Sequence, residues 1–275
     1  MFKLRLVSTV LASLAGLGPS LAAPLLVPHR AVYDLVLDQA TDRSGITGLQ
    51  GRMVYEFNGS ECEGYTVTFR FVTQIATSDS SRVTDQQTTT FEGGDGKSFR
   101  FVTKSFVDQA LDKEIRGEAK VEPDKLDVEI QQPNAQSLSL ARSQFPTRHL
   151  MEMIDKAEKG ETFYETSLFD GSDDADKVMT TTVVVGKKTA APADDPELPA
   201  APALAKDQYW PVEIAYFDTN KNDGEGLPEY RTSFKLHENG VTRDLVMDYG
   251  DFSMKGKLVN FSLLKPSTAV CDKPK

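Results

Sequence analysis

The sequence predicts a mainly β protein: one large, strongly curved antiparallel sheet of about 12 to 14 strands with a single short amphipathic helix. Three observations carry this. Apolar and polar residues alternate with a period of two through most of the chain. Asn-Gly and Gly-rich turn signals separate the alternating runs. Only one stretch, 147–160, switches to helical spacing.

Residues 1–22 read as a secretory signal. Lys3 and Arg5 supply positive charge, Leu6 to Leu17 is apolar, and Pro19 with Ser20-Leu21-Ala22 supplies a break and small residues. The apolar run is shorter than a bilayer-spanning helix needs. Cleavage is expected after Ala22 or Ala23, leaving 23–275 as a single exported β domain; an uncleaved anchor is the competing reading. No cysteine at the cleavage site suggests a lipid anchor, and no other segment reaches transmembrane length.

In the first strand, Tyr33, Leu35 and Leu37 face one way and Asp34 and Asp38 the other. Val67, Phe69 and Phe71 alternate with Thr66, Thr68 and Arg70. Tyr230, Thr232, Phe234 and Leu236 alternate with Arg231, Ser233, Lys235 and His237. Such alternation marks half-buried antiparallel strands. Asn239-Gly240 predicts a type I′ hairpin, because both central positions of that turn need positive φ. Gly93-Gly94-Asp95-Gly96, Asn58-Gly59, Gly186 and Tyr249-Gly250-Asp251 mark further reversals. Most strands therefore join their sequence neighbours, and so long a meander must curl to bury its apolar face.

Leu150, Met153, Ile154 and Ala157 put an apolar stripe on a helix that Thr147 can cap and Gly160 can end. The stripe is expected to cover the open concave face of the sheet. Residues 187–206 are rich in Ala and Pro and lack aromatics, so they read as a mobile, extended loop between two strands of one sheet.

The chain carries 41 acidic and 31 basic residues, a net charge of -10. Loss of Lys3 and Arg5 with the signal moves it to about -12, a charge that repels nucleic acid and anionic membranes. The two cysteines, Cys62 and Cys271, are expected to form a disulfide once the chain is in an oxidising compartment; two free thiols are the alternative. Closing so long a loop contributes about 5 kcal/mol in the chain-entropy picture. No C-x-x-C spacing supports redox catalysis.

Catalytic signatures are missing from the sequence. His29, His149 and His237 have no i, i+4 partner, which argues against zinc. Asp218, Asn220, Asn222 and Glu229 resemble the oxygen ligands of a calcium loop. However, Asp223 occupies the place of the required glycine and the flanks read as strands, so a polar hairpin loop fits as well. There is no G-x-S-x-G elbow and no phosphate-binding glycine loop followed by a helix. Tyr209 and Trp210 open a strand, where they could line a pocket mouth or pack in the core.

Several spaced stretches resemble one family. They are Phe145-Pro146-Thr147, Phe169-Asp170-Gly171-Ser172, Pro211-Val212 with Ala215-Tyr216-Phe217-Asp218, Glu238-Asn239-Gly240-Val241, and Leu245 to Phe252 ahead of the C-terminal cysteine. Together they are similar to the envelope-integrity protein B (EipB) family of alphaproteobacteria, over the whole mature chain. The resemblance implies a periplasmic location and a strongly bent sheet described as a β-spiral or open barrel. It also implies one disulfide matching Cys62 and Cys271, and a role in cell-envelope integrity under stress. It implies no cofactor and no catalytic residues, and suggests a periplasmic tetratricopeptide-repeat protein as partner. The reading is thus a non-enzymatic envelope protein acting through interactions. The alternatives are a carrier or sensor holding lipid, glycan or peptide in the concave face, and an envelope hydrolase.

Overall fold

The structure, a computed structural model, describes residues 26–218 and 226–267. The strands run β1 (His29–Ala40), β2 (Ile46–Ser60), β3 (Gly64–Thr77), β4 (Ser81–Glu92), β5 (Ser98–Val107), β6 (Ala110–Val121), β7 (Lys125–Gln132) and β8 (Gln136–Ala141). Helix α1 (Pro146–Glu158) follows. Then come β9 (Phe163–Leu168), β10 (Met179–Val185), the two-residue β11 (Thr189–Ala190), β12 (Gln208–Asp218), β13 (Tyr230–His237), β14 (Thr242–Asp248) and β15 (Phe252–Leu263). All belong to one 15-stranded sheet.

The sheet order is β8-β7-β6-β5-β4-β3-β2-β1-β15-β14-β13-β12-β10-β9, with β11 beside β12. Two meanders, β1–β8 and β9–β15, are therefore stitched together by the antiparallel pairing of the first and last strands, His29 opposite Leu263. The sheet does not close into a barrel. Among the described residues its two edges meet through an isolated bridge just past β8, where the Gln144 N–H donates to the Ser167 carbonyl at 3.1 Å and the Phe169 N–H to the Gln144 carbonyl at 3.0 Å.

The expected facing holds in β1, where Tyr33 and Leu35 are buried. Asp34 points outward to Arg52, directly across on β2, at 2.6 Å. Arg70–Asp85 and Lys104–Glu114 continue this charged outer surface. Three insertions cover parts of the inner face. Met153, Ile154 and Ala157 of α1 pack on Val183, Val212 and Ile214. Ala201 and Leu204 pack on Tyr33, Leu35 and Leu258. Phe145 and Phe169 stack against Phe99 and Phe101.

Four local expectations need correction. The reversal expected at Asn58-Gly59 comes later, at 61–63; both residues are still paired in β2, opposite Thr66 and Tyr65. The Asn239-Gly240 hairpin is not type I′. Only Gly240 has positive φ (+83°), and the Gly240 N–H donates to the His237 carbonyl at 3.0 Å. A turn of right-handed residues followed by one left-handed glycine is the three-residue alternative, and it suits a strand end that Asn239 Oδ1 also braces through the Val241 N–H.

Thr147 does not cap α1. The helix starts at Pro146, and its free amides at Thr147 and Arg148 donate to the two carboxylate oxygens of Glu92, at 2.7 and 2.9 Å. An acceptor from the end of β4 does the work of a local cap and adds negative charge where the helix dipole favours it. The stop at Gly160 is as expected: φ is +78°, and the Gly160 and Glu161 N–H groups close on Ala157 and Lys156.

The largest correction concerns 187–206. Rather than a mobile, extended loop, it pairs β11 with β12, folds two 3₁₀ turns at Leu198–Ala200 and Pro202–Leu204, and buries Asp195, Glu197, Ala201 and Leu204. Proline at the start of each turn presets φ, and the small alanines let the backbone approach the sheet closely.

Candidate functional site

Two features concentrate the chemistry. The first is a buried ionic cluster under the 187–206 segment. A register shift between Ser233 and Lys235, with Asp244 at φ +55°, breaks the regular β13–β14 ladder beside Arg243, and such a bulge re-aims side chains. Arg243 is fully buried. Its Nη1 donates to Asp195 Oδ2 at 2.7 Å and Glu197 Oε2 at 3.4 Å, and its Nε to His237 Nε2 at 3.0 Å. Lys235 Nζ reaches the same Asp195 oxygen at 2.9 Å. Glu197 Oε1 accepts the backbone N–H groups of Asp244 and Leu258, at 3.1 and 2.6 Å. The Tyr209 ring lies beneath both Arg243 and Lys235, centroid distances 5.2 and 5.3 Å.

Burial alone would raise the Asp195 pKa, but the hydrogen bonds from Arg243 and Lys235 outweigh it and hold the carboxyl at about 2. For Glu197 burial wins over its backbone donors and the pKa rises. Burial, then the neighbouring Arg243 charge, lowers His237 to about 4, so the ring is neutral and accepts from Arg243. His237 Nδ1 and Arg243 Nη2 are buried without a hydrogen-bond partner. The cluster is a structural clamp that holds the segment onto the sheet.

The second feature is an aromatic rim. Tyr216 and Tyr230 stand opposite each other on β12 and β13 and stack at 4.2 Å. Tyr249 continues the row at 6.1 Å from Tyr230, and Phe252 at 5.1 Å from Tyr249. Burial pushes the Tyr216 hydroxyl up to about 12 and that of Tyr230 higher still, so both remain protonated. Phe69 and Phe71 on β3, and Phe234 and Met247, are only half-buried on the same face. Hydroxyl pairs Thr73–Thr84 and Thr88–Thr103 lie alongside, at 2.7 and 2.9 Å. This part of the inner face is apolar, aromatic and incompletely covered.

The residues singled out in the sequence fall elsewhere. Tyr209 and Trp210 are core residues, 7% and 3% exposed, each with a cation over its ring. Asp218 and Glu229 both reach Lys177 Nζ at 3.3 Å, and Asn220 and Asn222 lie outside the described residues. Among the described residues no group of three or more His, Cys, Asp or Glu could hold a metal. Cys62 sits in the β2–β3 turn, and Cys271 and the signal segment 1–22 lie outside the described residues. His29 and His149 are buried, and burial lowers His149 to about 4. Asp195, Glu197 and Arg243 carried no sequence signal: the two acids precede Arg243 by 48 and 46 positions and join it only in three dimensions.

The EipB-like family model matches residues 20–265. The chain belongs to the EipB-like family. A curated EipB-like relative, the cell envelope integrity protein EipB of Brucella abortus (strain 2308), is 58% identical over 253 residues, covering 92% of this chain and 89% of the relative. A crystal structure from Brucella abortus, described as a β-barrel-like protein of a domain of unknown function, superposes with a TM-score of 0.86 at 58% identity. It covers 88% of this chain and 100% of that one. No helix among the described residues of this EipB-like chain is long and apolar enough to cross a membrane.

Proposed function

We propose that this protein is a non-enzymatic periplasmic factor that maintains cell-envelope integrity under stress by contacting other envelope components, a tetratricopeptide-repeat protein among them. The observation that carries the reading is 58% identity to a cell envelope integrity protein across nearly the whole of both chains. The signal-like residues 1–22 and the charged outer face support export and a water-facing surface. The test is complementation. In Brucella abortus lacking its own EipB, expression of this chain restores survival on detergent; failure of a well-expressed, exported chain to do so rejects the reading.

A disulfide between Cys62 and Cys271 belongs to the same proposal. Its support is positional: Pro266 and Ser267, four or five positions before Cys271, line one small cavity together with Gly59, Ser60 and Glu61 beside the turn that carries Cys62. Oxidised protein migrates faster than reduced on a denaturing gel, and Cys62→Ser lowers the melting temperature. Identical mobility with and without reductant removes the bridge.

A second reading, a carrier or sensor in the concave face, draws on the half-covered aromatic rim at Tyr216, Tyr230, Tyr249 and Phe252. Native mass spectrometry of protein taken gently from the periplasm shows a lipid, glycan or peptide adduct if this reading holds, and a bare chain if it does not.

A further inference from the structure

Away from both features lies a basin of about 1090 Å³ where the end of β8 and the start of α1 meet the turns of the first meander. Four cations from four segments line it: Lys97 from the β4–β5 turn, Lys120 near the end of β6, Arg142 just after β8, and Arg148 in the first turn of α1. In a chain of net charge -10, this is a local reversal of sign.

The cations are not consumed by the fold. Lys97 and Arg142 make no ion pair among the described residues. Lys120 makes only an exposed 3.6 Å contact with Glu118, of the kind worth little in water. Arg148 spends Nη2 on the Gly94 carbonyl at 3.1 Å, which fixes its planar guanidinium at the basin wall. Three acids also line the basin, Asp95, Glu122 and Glu152, one fewer than the cations, and two of them are occupied within the fold. Asp95 Oδ1 accepts the Lys97 N–H at 3.0 Å, and Glu152 Oε2 accepts Gln144 Nε2 at 2.5 Å.

Ser143 is the independent sign of a ligand. It lines the basin, is 8% exposed, and its Oγ has no hydrogen-bond partner. A buried hydroxyl left unpaired is costly, and a χ1 rotation that turns it toward an oxyanion in the basin would satisfy it. Two guanidiniums with flanking lysines suit a tetrahedral phosphate, which Arg binds in a bidentate fashion and Lys as a point charge. We infer that this basin binds a phosphate group, carried either by a soluble phosphate ester or by the headgroup of an anionic lipid.

The experiment is calorimetric titration of the full mature chain with glycerol phosphate, alongside flotation with vesicles of phosphatidylglycerol in phosphatidylcholine. The variants are Lys97→Ala with Arg142→Ala, and Ser143→Ala. Saturable binding is expected that weakens with salt and falls about tenfold or more in the double variant, with an unchanged melting temperature. Ser143→Ala weakens binding while leaving the unliganded protein as stable or more so, which a purely structural serine would not do. Glycerol phosphate binding without vesicle binding identifies a soluble ester. Vesicle binding lost in the double variant identifies a lipid headgroup. Absence of saturable binding to either probe, or binding that the double variant retains, overturns the inference.

Discussion

Helix α1 and the 187–206 segment cover neighbouring parts of the same inner face by opposite means. The helix brings an apolar stripe, Met153, Ile154 and Ala157, and takes a carboxylate from β4 at its N-terminus. The segment brings only Ala201 and Leu204 as buried apolar anchors and is clamped by charges instead. A stripe of hydrophobic side chains tolerates repacking, because burial energy is non-directional. A buried ionic cluster does not, since removing any one partner strands the others away from water. The two plugs should therefore fail differently.

The largest effect is expected at the clamp. Arg243→Met leaves Asp195 and Glu197 buried and opposed, costing about 3 to 5 kcal/mol; denaturant unfolding measures it, and a cost below that of a helix-core truncation would erase the contrast. Ile154→Ala is that truncation. Full burial predicts a loss of about 2 to 4 kcal/mol, with the sheet intact.

Acid probes both plugs at once, since each contains one buried histidine. His149 in α1 and His237 in the clamp are both lowered to about 4 from 6.5. Between those values the unfolded chain binds the extra protons, so the histidine contribution is complete above about pH 6.5 and is lost as pH falls toward 4. Glu92 and Glu197, raised by burial, act in the opposite sense and soften the decline. Asp195 adds a further loss on the clamp side as pH falls from 3.8 toward 2. Melting curves across this range should steepen in acid and flatten in a His149→Gln/His237→Gln double variant; an unchanged slope in that variant contradicts the assignment. The smallest effect belongs to Glu92→Gln. It keeps one of the two accepting oxygens at the start of α1, loses the other together with the charge, and costs about 1 to 2 kcal/mol, partly offset because burial disfavours that charge.

The same contrast explains what could be read in advance. The strands, the helix and its stop were legible because alternation, a 3.6-residue stripe and a C-terminal glycine are local signals. The true cap of α1 was not, because Glu92 precedes Thr147 by 55 positions and Thr147 offered a plausible local substitute. Residues 187–206 misled for a related reason. An Ala/Pro composition reads as unanchored chain, while the anchors Lys235, His237 and Arg243 lie on later strands. The phosphate basin was invisible for the same cause, its four cations being scattered over four segments.

The pairing of β1 with β15 also sets an order of assembly. A chain made from its N-terminus can zip β1 through β8 into a meander early, since each of those strands meets its sequence neighbour. One side of β1 then stays an open row of amides and carbonyls until Phe252–Leu263 arrives at the very end. An exposed edge of twelve residues is a template for any passing strand. The interval between emergence of the first strand and arrival of the last is thus the protein's most vulnerable period, and truncations that remove β15 should aggregate rather than merely soften.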